Sequence, residues 1–241
     1  MTYLPYSIHH IIWKPPERRA RLLLRFAEVE ADGGRDLVRA AETTADPLLR
    51  GLFLRHAADE QHHAAMFRAR GLAILKGLPR RTAAETPSWL APGERGLDDL
   101  RIERESEGAL LAFLHLSERA AARDFSRYIR ALDSDPSTSA VFARVVRDES
   151  FHMSYTHDQL KRLAPERHGW LLWQARLRRL WKLYLRLAGA LAGAIGAVVL
   201  TVQYYVLLPP FAWLARRAQR AEPLGWSRVS PDRSDGMERQ Y

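Results

Sequence analysis

Residues 46–63 read DPLLRGLFLRHAADEQHH, and residues 135–152 read DPSTSAVFARVVRDESFH. Both stretches begin Asp-Pro, run eleven residues and close on Asp-Glu-x-x-His: Asp46-Pro47 leads to Asp59, Glu60 and His63, and Asp135-Pro136 leads to Asp148, Glu149 and His152. A phrase repeated at fixed internal spacing marks a repeated structural unit. A second shared phrase lies upstream of each copy, where Glu30-Ala-Asp-Gly-Gly-Arg35-Asp36-Leu37 aligns with Glu118-Arg-Ala-Ala-Ala-Arg123-Asp124-Phe125. Glu30 precedes its proline by 17 residues and Glu118 by 18, so the halves differ by one residue in the turn.

Each half predicts a helical hairpin. Asp46 and Asp135 suit the N-cap, where a side-chain oxygen satisfies free backbone N–H groups, and the prolines suit the first helical position, where a missing N–H costs nothing. Thr43-Thr44-Ala45 and Asp133-Ser134 are the expected turns. In an antiparallel hairpin, residues equidistant from the turn lie at one height, so Glu30 faces Glu60 and Glu118 faces Glu149. Apolar residues at helical spacing flank all four: Leu23, Phe26 and Leu37 around Glu30; Phe53, Ala57 and Phe67 around Glu60; Leu111, Leu114 and Phe125 around Glu118; Phe142, Val145 and Val146 around Glu149. Glu28 is the rival on the first helix, but Arg21, Asp32 and Arg35 share its face, so Glu30 is preferred.

Four carboxylates on buried faces are expensive without cations, and metal coordination relieves that cost. Glu and His three residues apart project from one helix face, which allows one to bridge two ions while the other binds terminally. The expected ligands are Glu30, Glu60, His63, Glu118, Glu149 and His152, with Glu60 and Glu149 bridging and Glu30 and Glu118 terminal. Mixed carboxylate and imidazole donors suit iron or manganese. A metal-bound histidine commonly donates its other N–H to a carboxylate, so Asp59 is expected to support His152 and Asp148 to support His63. His115 and Tyr155, each one turn from a ligand, are candidates to line a pocket. His56 and His62 are read as surface or packing residues.

With these residues in place, the chain from about 17 to 163 resembles the ferritin-like di-iron carboxylate superfamily, which includes ferritins, rubrerythrins, aldehyde-deformylating oxygenases and demethoxyubiquinone hydroxylases. The resemblance implies an all-α, ferritin-like four-helix bundle in which a long crossover joins the two hairpins. The Pro- and Gly-rich stretch from Gly77 to Gly93 is the expected crossover. It further implies two irons, with manganese as the alternative, that react with dioxygen or peroxide and oxidise iron, peroxide or an organic substrate. The chain has no cysteine, so it lacks the rubredoxin module usual in rubrerythrins, and disulfides, thiolate zinc and a cysteine nucleophile are excluded with it.

The pattern changes beyond residue 163. Residues 161–220 hold eleven basic side chains and the single acid Glu166, which accounts for the whole net charge of +9. That basicity is therefore no nucleic-acid footprint. Trp170 to Arg186 (WLLWQARLRRLWKLYLR) is amphipathic and tryptophan-rich, as expected of a helix at a lipid interface. Leu187 to Leu208 (LAGALAGAIGAVVLTVQYYVLL) contains 22 residues without a charge, enough to cross a hydrocarbon core of about 30 Å. Pro209-Pro210 is expected to end the run, and tryptophans border it on both sides. The alternative is a buried fifth helix, packed on the bundle or in a homodimer through Gly189, Gly193 and Gly196.

The expected organisation is thus an N-terminal extension (1–16), the di-iron bundle (17–163), a basic and hydrophobic membrane segment (164–220) and a disordered tail (221–241). No secretory leader is recognised in the first thirty residues, and five basic residues before the apolar run against three after it favour a cytoplasmic bundle. The expected function is a membrane-associated di-iron oxidoreductase that uses dioxygen and an electron donor to hydroxylate or oxygenate a lipid-soluble acyl chain, aldehyde or quinone. A membrane-anchored ferroxidase or peroxide scavenger is the alternative, and a non-catalytic helical membrane adaptor is the second.

Overall fold

A computed structural model of the chain describes residues 12–79, 102 and 105–221. The expected crossover from 80, most of the N-terminal extension and the tail from 222 lie outside these residues. Every regular element among the described residues is helical. Four helices form the bundle of the first unit: α1 (Pro16–Thr43), α2 (Pro47–Lys76), α3 (Glu107–Ala131) and α4 (Pro136–Leu163). The connections are three residues in the first hairpin and four in the second, the one-residue difference present in the repeat.

The starts of α2 and α4 follow from local chemistry. The Asp46 carboxylate accepts from the N–H groups of Leu48 and Leu49, and Asp135 accepts from that of Thr138, each followed by proline in the first turn. Both caps are also held from the opposite hairpin. Arg70 donates to Asp135 at 2.7 Å with Arg19 beside it at 3.1 Å, and Arg162 pairs with Asp46. Close approach of α1 to α2 depends on Gly71, where a Cβ would lie 3.1 Å from the Ala20 carbonyl oxygen and 2.9 Å from Leu24.

The core divides into two clusters. Phe53, Leu49, Leu111 and Leu160 belong to one, and Trp13, Phe67, Phe125, Tyr128 and Phe142 belong to the other. Each helix passes from one cluster to the other at its candidate ligand. α1 leaves Leu23 and Ala27 for Leu37 across Glu30, α2 leaves Phe53 for Phe67 across Glu60, α3 leaves Leu114 for Phe125 across Glu118, and α4 leaves Phe142 for Tyr155 across Glu149. The carboxylates therefore sit at mid-bundle with an apolar cap on either side.

α5 (His168–Val202) opens within the same unit. Ala175 is buried, and Arg179 donates to the carbonyl oxygens of Phe113 and Leu116 and to the Ser117 hydroxyl. These contacts extend the compact bundle unit beyond the expected end at 163, to Leu180. The second unit begins at Trp181 and carries large apolar side chains exposed all round, among them Leu187, Leu191, Ile195, Val199 and Tyr205. Its helix is long and apolar enough to cross a membrane, with mean hydropathy 1.9 over an 18-residue window. The helix does not end at Pro209-Pro210, where the sequence led us to expect the apolar run to stop. A π-helical turn over Gln203–Leu207 passes into α6 (Leu208–Ala221), and the two prolines occupy the first turn of α6, where N–H groups need no partner.

Candidate metal centre

The two Glu-x-x-His segments face each other because α2 and α4 run antiparallel, each step forward on one matched by a step back on the other. His63 Nε2 lies 3.2 Å from Asp148, and His152 Nε2 lies 3.2 Å from Asp59, so each histidine is held by the acid of the other half. Those bonds turn both Nδ1 atoms inward. His63 Nδ1 is 3.9 Å from Glu60, and His152 Nδ1 is 3.7 Å from Glu60 and 3.6 Å from Glu149. Glu30 stands beside Glu60, and Glu118 beside Glu149, close enough for Glu60 to raise the cost of ionising Glu30 and Glu149 that of Glu118. Glu28, by contrast, lies on the outer face in an ion pair with Arg68.

Burial governs the electrostatics. It raises the carboxyls of Glu30, Glu60 and Glu118 well above the ordinary range, with neighbouring carboxylates pushing the same way, and raises Glu149 to about 8. It also lowers His63, and lowers His56 well below the usual imidazole range. Four acids this close together, three of them buried, ionise together only at a cost that a cation would relieve. The same conclusion comes from unsatisfied atoms. His63 Nδ1, His152 Nδ1 and Glu149 Oε2 are buried without a hydrogen-bond partner, and all three point into the carboxylate cluster. Buried polar atoms are nearly always paired, and inward lone pairs of this kind fit a metal ion. Two donor groups can be drawn, His56, Glu60, Glu118 and His152 in one and Glu30, Glu60 and His63 in the other, each with ligand atoms within 4.8 Å of one another. Glu60 belongs to both.

His56 corrects the sequence reading. It is fully buried, not at the surface, and its ring is polar-bonded on both sides: Nε2 lies 3.0 Å from Glu60 and 3.6 Å from Glu118, and Nδ1 lies 2.7 Å from the Tyr155 hydroxyl. Its spacing was informative. Four residues before Glu60 is only about 40° past a full turn, so both share a face. Tyr155 thus reaches the cluster through His56. His115 does not reach it. Three residues before Glu118 it is rotated by about 60°, and its ring turns to the Met153 carbonyl and stacks on His157 at 5.0 Å. His62 is exposed.

A cavity of about 270 Å³ opens between α1 and α3 beside the carboxylates. Phe26, Val29, Leu37, Phe113 and Phe125 give it apolar walls, and Glu30, Glu60, Glu118 and His56 line it. Glu30 keeps part of its surface open. No family model, curated protein or solved structure matches the chain.

Proposed function

We propose that the first unit is a ferritin-like bundle whose four glutamates and two histidines hold two metal ions, iron or alternatively manganese, and that the protein is a membrane-associated oxidoreductase acting on an apolar, lipid-like substrate. The observation that carries this reading is the set of unpartnered inward atoms, His63 Nδ1, His152 Nδ1 and Glu149 Oε2, inside a core of four carboxylates. Two irons in such a site supply dioxygen activation and two-electron oxidation.

The protein's own groups do the rest. Asp59 and Asp148 fix the tautomer and ring direction of the histidines. Glu60, common to both donor groups, and Glu149 on α4 would hold the ions together with Glu30 and Glu118. The apolar cavity removes water from whatever enters and presents it to Glu30 and Glu118, which favours an acyl chain, aldehyde or quinone over a sugar or nucleotide. The uncharged stretch from 187 to 208, none of it buried, would lie in a bilayer, where such substrates reside.

The test is anaerobic loading of the full-length protein in detergent with ferrous iron, followed by air. About two irons per chain and a visible absorption on oxygenation are expected. Binding of neither iron nor manganese overturns the reading. Turnover of many irons per chain without an organic substrate replaces the oxygenase assignment with a ferroxidase. Lipid extracted from the purified protein identifies the substrate class.

A further inference from the structure

The internal repeat makes a prediction that the centre breaks. Positions on α2 and α4 correspond at an offset of 89 residues, as for Glu60 with Glu149 and His63 with His152. By the same offset His56 corresponds to Val145, and Tyr155 to Met66. The hydrogen-bonded pair His56–Tyr155 on one side of the centre is therefore matched on the other side by Val145 and Met66, which pack in the aromatic half of the core. One flank is polar and reaches the carboxylates. Its counterpart is dry.

The polar flank follows the pattern of the two repeated histidines. His63 and His152 each place one ring nitrogen on an oxygen partner and turn the other inward, and His56 does the same with the Tyr155 oxygen outside and Nε2 inside. When Nδ1–H donates to that oxygen, Nε2 presents a lone pair to Glu60 and Glu118. The inner separations suit a shared cation. Neighbouring donors around an ion with bonds of about 2.1 Å lie roughly 3 Å apart, and His56 Nε2 lies 3.0 Å and 3.6 Å from Glu60 and Glu118 oxygens. The His56 and His152 rings stack at 3.7 Å with an interplanar angle of 26°.

We propose that His56 is a seventh donor, binding through Nε2 the ion held by Glu118 and His152, with Tyr155 as the positioning residue for its ring, so that the two ions of this repeat-built centre are chemically unlike. The proposal rests on the two-metal reading above. The competing role for His56 is a hydrogen bond from Nε2–H to Glu60, without a bond to metal.

Full-length protein in detergent, stripped of metal and titrated anaerobically with ⁵⁷Fe(II), separates the two. Wild-type protein should show two distinct ferrous Mössbauer doublets of equal area. His56→Val, which installs the residue the other half carries, should weaken one ion by on the order of a hundredfold, leave the other unchanged and bring the two doublets together. His56→Gln keeps an N–H for Glu60 but removes the imidazole, so it should behave as His56→Val if the histidine is a ligand and as wild type if it is only a donor. Tyr155→Phe retains both ions and should shift only the doublet that His56→Gln alters. Two ions in wild type with the affinities and doublets of His56→Gln unchanged overturn this proposal alone. A wild-type protein that binds no metal overturns the parent reading and this one with it. Should His56→Val fail to fold, His56→Gln and Tyr155→Phe carry the decision, since neither opens a large cavity.

Discussion

Removing the metal should make the bundle progressively less stable as the pH rises through neutrality. In the metal-free protein Glu149, 1% exposed, is raised to about 8 from an ordinary 4.5, chiefly by burial. Between those values the unfolded chain has released the proton and the folded chain still holds it, so stability falls with rising pH by about 1.4 kcal/mol per unit for each such group. His56 and His63, whose charged forms burial disfavours, act in the opposite sense, but only below about pH 6.5, where unfolded histidine takes up its proton. The window from pH 6.5 to 8 therefore isolates the carboxylates. Across it Glu149 alone removes about 2 kcal/mol, and Glu30, Glu60 and Glu118 push the same way. For a chain of this size 2 kcal/mol corresponds to a fall in Tm of about 4–8 °C. The assay is thermal unfolding by circular dichroism of chelator-stripped, full-length protein in detergent at pH 6.5, 7, 7.5 and 8. Glu149→Gln should flatten the slope by its own share. Metal reverses the trend, because ligation needs the deprotonated carboxylates and strengthens as pH rises. A metal-free Tm that stays constant or climbs over this window would show that the four acids are not enclosed together, and the argument for a cation site would fail with it.

Four further outcomes test separate parts of the molecule. Asp59→Asn and Asp148→Asn should each weaken one metal ion by about 10–100-fold, read by competition with a chelator, because each acid holds the outer nitrogen of one histidine. Phe142→Ala empties a site fully enclosed by Trp13, Phe67, Phe125 and Tyr128 and should destabilise the fold by about 3–5 kcal/mol in denaturant unfolding. Asp135→Ala removes an N-cap and the ion pairs of Arg19 and Arg70, so it should cost at least about 1–2 kcal/mol by the same measurement. Ala121→Trp fills the cavity between α1 and α3 and should abolish oxidation of an added lipid substrate while metal stoichiometry stays at the wild-type value.

The repeated phrase carried the architecture because its information is local. A capping aspartate, a proline at the first position and apolar residues at helical spacing dictate where α2 and α4 begin and which face they bury, whatever the rest of the chain does. The matching distances back to Glu30 and Glu118 then predicted four glutamates at one height; the folded chain buries Glu60, Glu118 and Glu149 with His63 and His152 and leaves Glu30 half-buried at their edge. That the uncharged stretch from 187 to 208 is long and apolar enough to cross a membrane was equally legible, since length and composition decide it.

Tertiary structure alone decided the remainder. Whether a histidine one turn from a ligand looks into the site depends on about 40° or 60° of helix rotation and on what stands opposite. His56 meets Tyr155 from α4 and joins the carboxylates, whereas His115 meets the Met153 carbonyl and leaves them. The first turns of α5 belong to the bundle because Arg179 finds the carbonyl oxygens of α3, partners that no local pattern announces. The helix runs on through Pro209-Pro210 by way of a π-turn at Gln203–Leu207, a backbone adjustment without a residue signature. Periodicity determines which faces are buried; only packing determines which atoms meet across them, and at this centre that difference separates a two-fold repeat from two unlike sides.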